Sequence, residues 1–306
     1  MARPRPALHP RRGRRVAAAM LAATVGAGLL GACGGADDRG DAAVTAVASG
    51  GAWADIAGQI GGPRVAVRPV GADPGTDPHL FTPGARDAAA VASADLAIVN
   101  GLGYDDAVAR LAAGRDAGTT LVVADVLGAP AGANPHLWYD VERVPEVARA
   151  IADAFTQLDP AGHDTYTANL VTFLDTLQPV IDRIEETAAR HTGTRIANTE
   201  RVAGYLLDEM GLVVVSPAGY ATAIEEGVEP SASDTRAMSE VLRDGGVALL
   251  VYNEQAESAV TEAAARTARD RGVPVVGVTE TIPRGTAGYQ AWQGAQVDAI
   301  RGALER

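Results

Sequence analysis

Apolar positions along this chain follow two alternating rhythms. Short β-branched or continuously apolar runs at 44–48, 65–70, 96–100 and 120–125 have the length and composition of buried strands. Between them Trp53, Ile56 and Ile60 fall at helical spacing, and 84–92 and 105–113 read as short helices. That alternation is the pattern of a parallel sheet with crossover helices. Residues 141–158 are amphipathic. From 164 to 190, Leu170, Leu174, Leu177, Ile181, Ile184 and Ala188 are spaced by four and three in turn, so one face of a single long helix is apolar. At about 1.5 Å per residue this helix reaches roughly 40 Å, enough to cross a two-lobed protein. Pro179 removes a backbone donor inside it and predicts a bend there. The stripe runs under four heptads and is bounded by strand signals, so it reads as an inter-lobe helix rather than half of a coiled coil.

After it the alternation resumes, with strands expected at 195–199, 212–216, 248–252 and 274–278. Helices are expected at 202–210, 233–243, 259–271 and 289–304, and Ser231 with Asp234 three residues on has capping-box spacing. The predicted fold is α/β, with two lobes, each a four-stranded parallel sheet flanked by helices, joined by one long helix. Its expected boundaries are an N-terminal lobe at 43–160, the linking helix at 161–192 and a C-terminal lobe at 193–306. No sequence repeat relates the two lobes.

Open α/β sheets bind ligands outside the carboxyl ends of their strands, so polar residues just after the strands are the candidates for chemistry. His79, in Asp77-Pro78-His79-Leu80-Phe81, follows the second strand, and His136, in Asn134-Pro135-His136-Leu137-Trp138, follows the fourth. In the second lobe Glu200 follows the first strand and Glu280 the last. Neutral imidazole offers a nitrogen lone pair near neutral pH. If the lobes face each other, two imidazoles and two carboxylates satisfy a divalent transition metal at net neutral charge. Each residue also has a plainer explanation: a loop histidine bonded to a carbonyl, an acid at a helix N-terminus for Glu200, a solvated loop acid for Glu280. The repeated Pro-His-Leu-aromatic pattern argues for the histidine pair. Glu225, Glu226 and Glu229 form a denser acidic stretch that as a surface loop needs no role, with one of them the alternative to Glu280 as a ligand. His163 and His191 flank the long helix and read as its polar end residues.

The amino terminus changes this picture of the mature chain. Arg3, Arg5, Arg11, Arg12, Arg14 and Arg15 precede an apolar run at 16–30 that is short for a membrane span. Leu30-Gly31-Ala32-Cys33 then resembles a bacterial lipobox, with cleavage before Cys33 and a lipid on its sulfur. Residues 1–32 are thus expected to be a lipoprotein signal peptide and 33–42 a flexible linker. Cys33 is the chain's only cysteine, so no intramolecular disulfide is possible and stability must come from packing. Losing residues 1–32 removes six arginines and no acids, which moves the formal charge from -12 to -18. Such a field repels nucleic acid and favours cations near the surface. All 26 basic residues are arginine; nothing functional follows from that.

These motifs carry a resemblance. The stretch around His79 through Pro83, Ala94-Asp95-Leu96 through Asn100-Gly101-Leu102-Gly103, the motif at His136, Glu229-Pro230-Ser231-Ala232, and Gly277-Val278-Thr279-Glu280-Thr281 are similar to the solute-binding proteins of zinc and manganese ABC transporters, in order and over nearly all of the mature chain. The resemblance implies two lobes linked by one rigid helix, in a monomer that captures Zn2+ or Mn2+ outside the membrane and hands it to an ABC permease and its ATPase. It also implies a metal held by His79 and His136, by Glu200 at the third position, and by Glu280 where aspartate is the more usual family residue. The His/Asp-rich loop that many zinc-binding members carry before the second histidine is missing; only Leu-Gly-Ala-Pro-Ala-Gly-Ala lies between Val126 and Asn134. Two nitrogens with two carboxylates that bind through both oxygens would favour manganese, whereas the general affinity order favours zinc.

Two other classes compete with this reading. A metal-dependent hydrolase would use the same residue types with an open metal position, but His-Glu-x-x-His and Gly-x-Ser-x-Gly are both absent. A surface adhesin or structural lipoprotein would leave the cleft without a ligand. The expectation is a binding protein and not an enzyme.

Overall fold

The computed structural model describes residues 42–71, 81–244 and 246–306. His79, Cys33 and the expected signal peptide lie outside them. In chain order the elements of the first lobe are β1 (Val44–Ser49), α1 (Gly51–Gly61), β2 (Val65–Val70), α2 (Ala85–Ser93), β3 (Leu96–Val99), α3 (Asp106–Ala113), β4 (Thr119–Val122), α4 (Val123–Val126) and α5 (Val144–Leu158). Then come α6 (His163–His191), β5 (Arg195–Asn198), α7 (Gly204–Glu209), β6 (Val213–Val214), α8 (Ala218–Glu225), α9 (Ala232–Arg243), β7 (Leu250–Asn253), α10 (Ala259–Asp270), β8 (Val275–Val278) and α11 (Tyr289–Leu304).

The strands form two four-stranded sheets, ordered β2-β1-β3-β4 and β6-β5-β7-β8. Every pairing is parallel, from Val44 opposite Val65 to Asn253 opposite Val278. The two lobes therefore share one topology without sharing a sequence repeat. In each, the order reverses between the first and third strands of the lobe, and a reversal of that kind opens a crevice at the strands' carboxyl ends.

Between the sheets runs α6, the expected inter-lobe helix. Its buried face is Tyr166, Phe173, Leu177, Val180, Ile184 and Thr187, so the stripe is turned slightly from the expected one, and Leu170, Leu174 and Ile181 are only half-buried at its edge. The helix continues through Pro179, which lies on the exposed side, where the carbonyl it deprives of a partner can bond water. One apolar core crosses both lobes, joining Ala46 and Ile98 of the first sheet, Leu177 and Ile184 of α6, Tyr289 and Trp292 of α11, and Val251 and Val276 of the second sheet. Each fully buried side chain of this size contributes about 1.5–3 kcal/mol, so separating the lobes would expose several such contributions at once.

Three elements differ from expectation. The run at 120–125 is strand only to Val122, the last residue paired with β3, after which the buried Val123 and Ala124 begin a helical turn. The expected strand at 212–216 shrinks to two residues at the sheet edge. Residues 218–225, of which only Glu225 was given a place in the sequence reading, as part of an acidic loop, form α8 around the buried Tyr220, Ala221 and Ile224; this helix is rich in Ala and Gly and shows little apolar periodicity.

Candidate metal centre

His136, Glu200 and Glu280 come together between the lobes, and all three are buried, at 0%, 2% and 4% relative exposure. His136 Nε2 lies 3.5 Å from Glu280 Oε2, which joins the first lobe to the second. The Asn253 side-chain amide, at the carboxyl end of β7, donates through Nδ2 to Glu280 Oε1 at 2.8 Å and also to Glu200 Oε1. Among the described residues no three His, Cys, Asp or Glu side chains close on one point by themselves: His136 and Glu280 meet, and Glu200 stands across one amide nitrogen from Glu280.

The histidine is held by a chain of polar contacts. Asn134 Nδ2 donates to the Arg201 carbonyl of the second lobe at 2.7 Å, which turns Asn134 Oδ1 toward His136 Nδ1, 2.7 Å away. An acceptor at Nδ1 keeps the proton on that nitrogen and gives Nε2 the lone pair, the arrangement that metal-binding histidines use. Upstream, Asp105 accepts from the backbone N–H groups of Asn100 at 2.6 Å and Gly101 at 2.9 Å. Asn100 in turn donates to the Pro135 carbonyl at 2.8 Å and accepts from Trp53 Nε1. Burial pushes the Asp105 carboxyl up, against the pull of those two backbone donors. The turn Gly101-Leu102-Gly103 has positive φ throughout, at 85°, 56° and 84°, a conformation costly for leucine. It delivers Tyr104, whose hydroxyl lies 3.4 Å from Glu280 Oε2 and whose ring packs edge-on to His136 and Trp138.

Glu280 is held from both lobes. Gln255 Oε1 accepts from the Glu280 N–H at 2.6 Å and the Thr281 N–H at 3.1 Å. Tyr139 of the first lobe donates to the Thr279 carbonyl at 2.6 Å, and Trp292 donates to the Thr279 hydroxyl at 2.9 Å. The Tyr139 phenol is raised well above its ordinary value, first by burial and further by the Glu280 and Glu200 charges.

Beside these residues opens a cleft of about 520 Å³, lined by Leu102, Tyr104, Pro135, Arg201, Thr222 and Glu225 among others. Glu225 was expected in a surface loop as a possible reserve ligand. It sits instead at the end of α8, with its two oxygens 2.7 and 2.8 Å from the Arg201 guanidinium, and that engagement leaves it poorly placed to serve a metal. His163 and His191 are the first and last residues of α6, as expected.

The family described as zinc-uptake complex component A, periplasmic (ZnuA), matches residues 46–303. The chain belongs to this family. Among curated relatives, this ZnuA-family chain is 32% identical over 117 residues to the manganese-binding lipoprotein MntA of Halalkalibacterium halodurans, a match covering 37% of this chain and 39% of that protein. It is 25% identical over 151 residues to the zinc-binding protein AdcA of Streptococcus pyogenes, covering 48% of this chain and 28% of AdcA. The matched stretches thus span well under half of either relative. Among solved structures, the periplasmic zinc binding protein TroA from Treponema pallidum superposes with a TM-score of 0.73 at 21% identity, over 86% of this chain and 99% of TroA, which shows the shared fold.

Several residues that hold these side chains in place were not among the candidates the sequence offered. Asn253 is a strand-exit residue like Glu200 and Glu280, but an amide is not an ordinary ligand for a transition metal, so residue type alone does not mark it. Asn134 and Asn100 lie inside motifs the reading quoted, yet their hydrogen bonds depend on the other lobe or on a distant loop.

Proposed function

We propose that this ZnuA-family chain is an extracytoplasmic solute-binding protein that takes one divalent transition metal, zinc or manganese, into the inter-lobe cleft and delivers it to an ABC permease and its ATPase. His79, His136, Glu200 and Glu280 are the ligands in this reading. The observation that carries it is the meeting of His136 Nε2 with Glu280 Oε2 across the lobes, on a histidine whose other nitrogen is already engaged by Asn134. Two buried carboxylates facing an imidazole favour a cation, because an uncompensated buried charge is expensive. The chain acts by binding and release and not as an enzyme, works as a monomer, and is held at the membrane by a lipid on Cys33. Its strongly acidic surface favours cations and disfavours nucleic acid as a partner.

Elemental analysis of protein purified from its own cell envelope, with thermal melting, tests this. Bound zinc or manganese is expected, with a melting temperature that rises with either ion through preferential binding to the folded state. The rise is expected to be lost in His136→Ala and kept in His163→Ala. Metal-free protein whose melting ignores every divalent ion contradicts the proposal, and so does metal-dependent hydrolysis of an ester or phosphate panel. For the anchor, Cys33→Ala is expected to leave the membrane fraction; full retention there contradicts it.

A further inference from the structure

We infer that Gln255 is the positioning residue for Glu280, whose side-chain direction it sets by taking two successive backbone N–H groups on one oxygen. The inference rests on the metal-site reading above. β7 and β8 are paired, and their pairing ends at Asn253 opposite Val278, so the two strand exits run side by side. Gln255 lies just past β7 and Glu280 just past β8. Gln255 is fixed there by its own N–H, which donates to Asn253 Oδ1 at 2.9 Å, and by Nε2, which donates to the Thr281 hydroxyl at 2.8 Å. Its Oε1 accepts from the Glu280 N–H at 2.6 Å and the Thr281 N–H at 3.1 Å. A backbone N–H can only donate, so the atom facing this pair must be the amide's oxygen.

Those two N–H groups belong to the two peptide planes that flank the Glu280 Cα. Each plane is rigid, and only φ and ψ of Glu280 turn one against the other. The first plane is also held from the other lobe, where Tyr139 donates to the Thr279 carbonyl at 2.6 Å. With that plane alone fixed, rotation about the Glu280 N–Cα bond would still swing the side chain. Gln255 ties the second plane to the same oxygen and stops that rotation. A bond from the Thr279 hydroxyl to the Thr281 carbonyl at 3.0 Å acts one plane further on. The direction so fixed carries Oε2 to 3.5 Å from His136 Nε2, while Asn253 holds the far end of the side chain through Oε1. Without Gln255 the metal itself must bring the root of Glu280 into line, and that ordering is subtracted from its binding free energy.

The test compares wild type with Gln255→Ala, Gln255→Met, Gln255→Glu and Glu280→Ala. Zinc affinity is measured by chelator competition at fixed pH, beside thermal melting of the metal-free proteins. Methionine keeps the length of the side chain without its acceptor, so it decides the matter if the alanine variant fails to fold. Zinc affinity is expected to fall about tenfold or more in the folded Ala and Met variants, a size usual for groups that orient metal ligands. Glutamate puts an oxygen in the same place, so Gln255→Glu is expected to bind zinc as tightly as wild type or more tightly. Because Gln255 acts through Glu280, adding Gln255→Ala to Glu280→Ala is expected to change zinc affinity by less than about twofold, whereas a purely structural role would carry its full loss into that background. Affinity within about twofold of wild type in a folded Ala or Met variant, a Gln255→Glu protein as weak as the alanine variant, or a loss that persists without Glu280 overturns the inference while the binding site stands. If wild type binds no zinc, or Glu280→Ala binds it as wild type does, the reading of Glu280 as a ligand falls and takes this inference with it.

Discussion

Replacing Asn134 with alanine removes an acceptor 2.7 Å from His136 Nδ1 and a donor 2.7 Å from the Arg201 carbonyl. Without the acceptor, the imidazole is free to carry its proton on Nε2 and to rotate, and metal binding must then restore the other tautomer. Losing such an outer partner costs about 10–100-fold in metal affinity, which is about 1.4–2.7 kcal/mol by the usual conversion. The lost inter-lobe hydrogen bond adds about 1 kcal/mol of destabilisation in the metal-free protein. The two effects separate in Asn134→Asp, which keeps an acceptor for Nδ1, with added charge, but cannot donate to Arg201; its affinity is expected to match or exceed wild type while its melting temperature drops. Gly204→Ala reaches the same point without touching either motif, since a Cβ there would stand 2.8 Å from Asn134 Nδ2. That amide is tied at both ends and cannot yield freely, so metal affinity is expected to fall. The assay is chelator competition for zinc at fixed pH, paired with thermal melting of the metal-free proteins. Zinc affinity in Asn134→Ala within twofold of wild type would refute the argument that Asn134 sets the imidazole.

Further outcomes follow from the same framework. Glu209, packed against Asp140 and accepting from the Glu142 N–H at 2.9 Å, has its carboxyl pushed up to about 9, chiefly by burial. Between the ordinary carboxylate value and that pH the folded protein holds a proton the unfolded chain has released, so the contribution is complete at low pH and lost as pH rises, at about 1.4 kcal/mol per pH unit for one proton. Glu209→Gln is expected to flatten the pH dependence of melting between pH 5 and 9; an unchanged slope contradicts the assignment. The shared core around α6 and α11 and the bonds Tyr139 to Thr279 and Tyr289 to Trp138 predict that the lobes move little. Small-angle scattering curves with and without metal are expected to superimpose nearly, and a large closure would be contrary to this account.

Much of the architecture was legible because parallel strands covered on both faces read as unbroken apolar runs, as at 96–99. Where such a run outlasts its partner the sequence misleads. Val123 and Ala124 are as apolar as the strand before them, and only the end of pairing at Val122 turns the chain into a helix. α8 was hidden for the opposite reason: its Ala, Gly and Thr residues carry no period, and without it the Arg201 to Glu225 ion pair has no visible cause. Of the polar residues gathered between the lobes, His136, Glu200 and Glu280 were readable as candidates at strand exits. Asn253 required knowing that β7 lies between β5 and β8, and chain order does not supply strand order.

The central claim is that one divalent ion sits among His79, His136, Glu200 and Glu280. Anomalous diffraction at the zinc edge from crystals of the zinc-loaded chain tests it most directly. One strong peak is expected in the inter-lobe cleft, about 2.0–2.2 Å from a nitrogen of His79, from His136 Nε2 and from one oxygen each of Glu200 and Glu280. A peak elsewhere on the protein, or one in the cleft that leaves His136 beyond bonding distance, would contradict the account.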